Sequence, residues 1–157
     1  PMVESPDDVR RMRESALYPP EGRRGIGFSR ANLFGKHFPE YFANVNSELC
    51  LVAQIESRSG VERLDEILGA GELDAIIVGP YDLSGSMGLT GQFTHPDFLA
   101  ALERVNAVCR ERGVPMGLHI VQPDPEQLKA KLEEGYRFIA YGIDAVFLYT
   151  AAGRPEI

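Results

Sequence analysis

Short, nearly unbroken apolar runs alternate along this chain with longer stretches in which apolar residues recur at helical spacing. The runs at residues 49–55, 74–78, 115–121 and 137–141 have the character of strands buried on both faces. Residues 60–68, 96–112 and 124–134 read as helices. Val61, Leu64, Ile67 and Leu68 form the apolar stripe of the first, and Gly135 stops the last. Ahead of the first strand, Ser5-Pro6-Asp7-Asp8 supplies an N-cap, a first-turn proline and acids set against the helix dipole, which predicts a helix running to Leu17. Another helix is expected over 38–46. Between these two, residues 18–27 hold two prolines and three glycines, a composition that no regular element tolerates. Pro1-Met2-Val3 breaks straight into the first helix start and reads as the tail of a strand. A further apolar segment begins at 144–149, after Gly142.

Three strand-then-helix units and part of a fourth predict a parallel sheet covered by helices. Such a sheet is either open and doubly wound or closed into an eight-stranded barrel, of which four units are half. Neither a GxGxxG turn nor a GxxxxGK[ST] loop follows any of these strands, so the usual nucleotide-binding uses of an open sheet lack their signature and the barrel is favoured.

Composition narrows the classes of function. With 157 residues, 44% apolar and 25% charged, the chain is sized for one domain with an ordinary core. A net charge of −7, with scattered Lys and Arg, leaves no basic face for a phosphate backbone. No apolar run approaches the ~20 residues of a membrane helix. Cys50 and Cys109 have no CxxC spacing and no secretory signal opens the chain. Two buried thiols in a cytoplasmic protein are therefore expected.

In parallel α/β folds the ligand site lies at the carboxyl ends of the strands, where this sequence places Glu4, Glu56, Asp82 and His119. Glu56 and Asp82 end successive strands, so they share one rim and could hold a hard cation, with water and a chelating substrate completing its shell. The competing reading is that Glu56 caps the next helix and Asp82 the turn at Leu83-Ser84. His119 faces the same rim, as a substrate contact or as a hydrogen-bonded residue without a catalytic part. His95 lies at a helix entry and His37 in a loop beside Pro39. Arg23 and Arg24 could reach an anion or a neighbouring subunit, or could simply pair with surface acids.

Several uncommon motifs occur here in order: Pro1-Met2-Val3-Glu4-Ser5, Pro19-Pro20-Glu21-Gly22, Arg24-Gly25-Ile26-Gly27, Gln54-Ile55-Glu56, and Gly79-Pro80-Tyr81-Asp82-Leu83-Ser84 with Met87-Gly88. On these the chain resembles the HpcH/HpaI aldolases, the metal-dependent enzymes that cleave or form 2-oxo-4-hydroxy acids. The resemblance implies a (β/α)8 barrel, of which residues 1–157 are one partial domain holding about strands five to eight, with Pro1-Met2-Val3 matching the end of the fourth. It implies Glu56 and Asp82 as ligands of Mg²⁺, Mn²⁺ or Co²⁺. Gln54, Gly79, Pro80, Tyr81 and Asp82 become the substrate-binding set, to which the rim position, and not the resemblance, adds His119 as a candidate member. The implied reaction passes between the 2-oxo-4-hydroxy acid and pyruvate (or a related 2-oxoacid) plus an aldehyde, through a metal-stabilised enolate. The family's catalytic His and enolate-stabilising Arg match positions upstream of this chain, and its members are commonly hexamers. His119 departs from the family, whose residue at this position is usually aliphatic.

Two other readings compete. One is a catalytically incomplete half-barrel that binds metal or oxoacid, or self-associates, without turnover. The other is an open α/β protein that binds a phosphorylated ligand at Arg23-Arg24.

Overall fold

In a computed structural model, residues 1–153 are described. They form a four-stranded, wholly parallel sheet in the order β1-β2-β3-β4, from Val52–Ile55, Ala75–Val78, Met116–Ile120 and Phe138–Tyr141. The helices are α1 (Pro6–Ala16), α2 (Phe38–Glu48), α3 (Arg58–Glu62), α4 (Leu64–Gly69), α5 (Pro80–Ser86), α6 (Pro96–Arg112), α7 (Pro125–Glu133) and α8 (Asp144–Ala152), with a 3-10 helix at Arg30–Gly35.

Each strand joins the next without a reversal of order. Because parallel crossovers are right-handed, such an order winds its helices onto one face, whereas a doubly wound sheet needs a reversal. The side chains agree. Ala53, Ile55, Ile76, Val78, Met116 and Leu118 share one core with Leu64, Ile67 and Leu68 of α4 and with Phe98, Val105 and Cys109 of α6. Each fully buried Leu or Ile there contributes about 1.5–3 kcal/mol. The alternate residues point the other way. Gln54, Ile77 and His119 are only half-buried and Phe138 is 40% exposed.

The first helix starts as expected, with the Ser5 hydroxyl accepting from Asp8 N (3.2 Å) and donating to the Asp8 carboxylate (2.7 Å). That hydrogen bond is the largest influence holding the Asp8 carboxyl below its ordinary range. Residues 18–27 are irregular, as their prolines and glycines require. Buried Asn32 pins the following excursion: its side-chain oxygen accepts from Ser29 N and Gly35 N, and its amide donates to Gly27 O. Leu33 and Phe34 adopt φ of 49° and 55° there, which non-glycine residues rarely do. α6 runs as expected and stops at Gly113, whose φ of 67° closes the C-terminus.

Several expectations are corrected. The first strand starts at Val52, because Leu49 caps α2 and Leu51 N donates to the Asp74 carboxylate instead of to a ladder. The helix expected over 60–68 is two short helices, broken at Arg63. Residues 80–86 form a helix where only a turn was expected, and the apolar segment at 144–149 belongs to α8. Only one thiol is buried: Cys50 is exposed, whereas burial pushes Cys109 up to about 11. Among the described residues no helix is long and apolar enough to cross a membrane.

Candidate active site

Side chains two apart on a strand share a face, so β1 sends Gln54 and Glu56 together to the side of the sheet that the helices leave bare. Glu56 is only 4% exposed. Its two oxygens accept from the Met2 backbone N–H (2.7 Å) and from the Gln54 side-chain amide (2.6 Å), the partners a buried carboxylate requires. Neither bond is to a cation. Met2 reaches this point because Val3 N donates to Gln54 O (3.1 Å), which lays the N-terminal segment along the free edge of β1 in the manner of the expected strand tail.

The adjacent strand leaves room for this carboxylate. Gly79 follows β2, donates to Ile55 O (3.3 Å) and caps α5. A Cβ at Gly79 would lie 2.7 Å from Glu56 Oε2 and 3.1 Å from Gln54 Nε2, so the glutamate occupies the space that any side chain there would take. Asp82 is exposed in the first turn of α5. α5 is anchored through Ser84, whose hydroxyl donates to Tyr81 O (2.9 Å) and accepts from Gly91 N (3.1 Å). Tyr81 packs edge-on against Phe93, with ring centroids 4.9 Å apart.

The ladder pairs Ile55 with Val78, Val78 with Leu118 and His119 with Ala140. One residue further along, Glu56, Gly79 and His119 therefore stand in one layer of the bare face. His119 Nε2 lies 3.3 Å from Gly142 O. A cleft of about 370 Å³ opens beside this rim, lined by Tyr81, Phe93, Leu99, His119, Gln127 and Lys131. It reaches down between α6 and α7 and includes neither carboxylate.

The remaining candidates have other duties. Glu4 accepts a hydrogen bond from the Ser57 hydroxyl, and Ser57 caps α3 by accepting from Gly60 N (3.1 Å). Capping next to Glu56 thus falls to Ser57 rather than to Glu56. Arg23 pairs with Glu14. Arg24 stacks over Tyr18 (4.7 Å to the ring centroid) and donates to the Tyr41 hydroxyl (3.0 Å). These contacts favour the surface-pairing reading over an anion site. His95 caps α6, and His37 lies beside Glu40. No sequence signal marked the part of Met2 N–H, because a backbone donor leaves no trace in residue type.

Among the described residues, no three His, Cys, Asp or Glu side chains converge into a ready-made metal cage. A carboxylate just past β1 and another in the first turn of α5 are the oxygen donors a hard cation takes when water and substrate complete its shell, and they do not suit a closed structural site. The class defined by fold and site is a parallel α/β protein with carboxylates just beyond two adjacent strands of its sheet.

The comparisons with known proteins make that class specific. A family model for HpcH/HpaI aldolase/citrate lyase matches residues 1–151, and the chain belongs to this family. It is 38% identical over 153 residues to a hydroxypyruvate/pyruvate aldolase from Sagittula stellata, covering 97% of this chain and 59% of that protein. It is 37% identical to a 4-hydroxy-2-oxo-heptane-1,7-dioate aldolase from Shigella flexneri, covering 97% and 57% respectively. Among solved structures, a family protein from Burkholderia cenocepacia J2315 superposes with a TM-score of 0.84 at 32% identity, over 97% of this chain and 60% of that one. The HpcH/HpaI aldolase of Desulfitobacterium hafniense DCB-2 gives 0.79 at 30%, over 96% and 58%. The chain thus spans less than two thirds of the length of these relatives. The relatives are aldolases acting on small-molecule oxoacids and aldehydes, and the family's aldolases are in general dependent on a divalent metal.

Proposed function

We propose that residues 1–157 form one partial domain, about strands five to eight of a closed (β/α)8 barrel, and that they carry the metal- and oxoacid-binding half of an aldehyde-lyase. The whole protein cleaves or forms 2-oxo-4-hydroxy acids, releasing or consuming pyruvate or a related 2-oxoacid and an aldehyde. The observation that carries this reading is the buried Glu56 carboxylate, fixed by Met2 N–H and the Gln54 amide in the space Gly79 leaves open, with Asp82 in the first turn of α5 directly after β2.

Glu56 and Asp82 would hold the cation, Mg²⁺, Mn²⁺ or Co²⁺, since oxygen ligands with water accept all three. When bound, it supplies Lewis acidity to the keto oxygen of the oxoacid. Gln54 orients Glu56. The backbone amides at Tyr81 and Asp82 receive the substrate carboxylate, and Pro80 sets their direction by opening α5. His119, at the end of β3, is a further candidate substrate contact. In cleavage the C3–C4 bond breaks, the C4 hydroxyl gives up its proton and becomes the aldehyde, and the electron pair stays with the oxoacid fragment, which is protonated at C3. The group that moves that proton belongs to the part of the whole protein that this chain does not span. A homo-oligomer in the cytoplasm, with neither nucleic acid nor membrane as partner, completes the reading.

A catalytically incomplete half-barrel is the second reading, favoured by the bare face of the sheet. Calorimetric titration of the full-length protein with Mn²⁺, with and without pyruvate, separates the two, combined with an aldol-cleavage assay. We expect pyruvate to tighten Mn²⁺ binding, and Glu56→Gln or Asp82→Asn to abolish both binding and cleavage. Cleavage that survives chelation and both substitutions would overturn the aldolase reading.

A further inference from the structure

Glu56 owes its fixed position to the N-terminal segment, and that segment is not a simple continuation of the sheet. Val3 N–H donates to Gln54 O (3.1 Å), and in an extended strand successive N–H groups point to opposite sides, so the preceding one would face away from β1. Met2 instead adopts a φ of 53°, and its N–H turns back onto the Glu56 carboxylate at 2.7 Å. A methionine rarely holds a left-handed backbone, and such a residue persists only where its surroundings over-determine it.

Two contacts to the start of α3 hold the segment in place. Val3 O lies so close to Gly60 that a Cβ there would come within 2.8 Å of it. The Glu4 carboxylate accepts a charge-assisted hydrogen bond from the Ser57 hydroxyl. Ser57 is buried, and it caps α3 with its oxygen, which accepts from Gly60 N. Capping has no use for the hydroxyl proton, and Glu4 takes it. The Glu4 backbone is held from the other side, its N–H donating to Asp8 of α1 (3.1 Å). A ring of contacts results: from Glu56 to Met2, along the chain to Glu4, across to Ser57, and back along the chain to Glu56.

We propose that Glu4 is a positioning residue for the cation site: through Ser57 it closes this ring and keeps the Met2 N–H on Glu56, so that the carboxylate meets a divalent cation already oriented. The inference rests on the aldolase reading above, in which Glu56 is a cation ligand. The rival account of the same residue is its charge alone, since an acid near the rim attracts a cation without orienting anything.

Full-length protein is titrated with Mn²⁺ by calorimetry, and exchange of the Met2 amide is followed in the metal-free protein. Glu4→Ala removes the acceptor and leaves the α3 cap in place. It should weaken Mn²⁺ binding about tenfold and speed exchange at Met2 by a similar factor, the worth of one hydrogen bond to a charged group. Glu4→Gln loses the charge but keeps a side-chain oxygen for Ser57, and should stay within about threefold of wild type in both. Ser57→Gly, a mild change at a helix cap, should match Glu4→Ala, and the double variant should be no weaker than either. A residue that only supports the fold would lower the melting temperature and leave the Mn²⁺ affinity of the folded protein alone. Should Glu4→Ala misfold, Ser57→Gly read against Glu4→Gln decides in the same way. The proposal is overturned if Glu4→Ala leaves either Mn²⁺ affinity or Met2 exchange unchanged, if Glu4→Gln weakens binding as much as Glu4→Ala, or if the effects of Glu4→Ala and Ser57→Gly add. Glu56→Gln separates the two levels: Mn²⁺ binding that survives it removes the cation site of the aldolase reading and this assignment with it, whereas binding lost in Glu56→Gln and intact in Glu4→Ala removes only the assignment.

Discussion

At the scale of single residues, the site turns on an atom that is missing. A Cβ at Gly79 would lie 2.7 Å from Glu56 Oε2, closer than real Cβ contacts come, and a tight 3.1 Å from Gln54 Nε2; the first atom belongs to a proposed cation ligand and the second to the side chain that orients it. Gly79→Ala should therefore displace the carboxylate while leaving a buried core that Gly79 does not join. Mn²⁺ affinity of the intact protein is expected to fall at least about tenfold, a cost of roughly 1.4 kcal/mol, with less than about 1 kcal/mol lost in urea unfolding. Unchanged affinity would show that Glu56 takes no part in binding the cation. Sequence alone reached Glu56 and Asp82 through their place at strand ends. It could not reach Met2, whose contribution is a main-chain N–H, or the layer that joins Glu56 to His119, because register across three strands is a tertiary fact. Cys50 and Cys109 show the same boundary from the other side: both lie in apolar surroundings along the chain, yet only Cys109 enters the core.

At the scale of elements, the legible helices are those whose stripe or cap is written locally. α6 carries Phe98, Val105 and Cys109 inward, and α1 has its Ser5 cap. α5 was not legible, since Pro80-Tyr81-Asp82-Leu83-Ser84-Gly85-Ser86 is poor in helix formers. It is helical because Leu83 is fully buried and Ser84 ties the turn to Gly91. α8 was ambiguous because residues 144–149 are apolar with little helical periodicity. α7 is the opposite case, locally well written and weakly held. None of its residues is buried, while Asp124 accepts from Glu126 N (3.0 Å) and Gln127 N (3.3 Å). Such a helix depends on its cap more than α6 does. Asp124→Ala should cost about 1 kcal/mol, expressed locally as roughly fivefold faster amide exchange through α7 with protection in α6 unchanged. A uniform loss of protection over both helices would mean that α7 unfolds only with the core.

At the scale of the whole molecule, the sheet is covered on one side only. Its bare face presents Gln54, Ile77, His119 and Phe138, and β4 ends the sheet on the far side with Phe138, Ile143, Phe147 and Leu148 all exposed. Monomeric proteins rarely leave so much apolar surface beside an unpaired edge. A closed barrel would cover the face and pair both edges. The two arrangements differ in a measurable way. Residues 1–157 produced alone should bind a fluorescent apolar dye strongly and sediment as concentration-dependent aggregates or dimers. The full-length protein should bind the dye weakly and sediment as one defined species. Adding the complementary segment to the 1–157 chain should quench the dye and restore Mn²⁺ binding together, because the same face holds both the apolar surface and Glu56. Strong dye binding by the full-length protein would leave the face uncovered there too, and the closed barrel would have to be given up in favour of an open sheet that buries its second side against a partner.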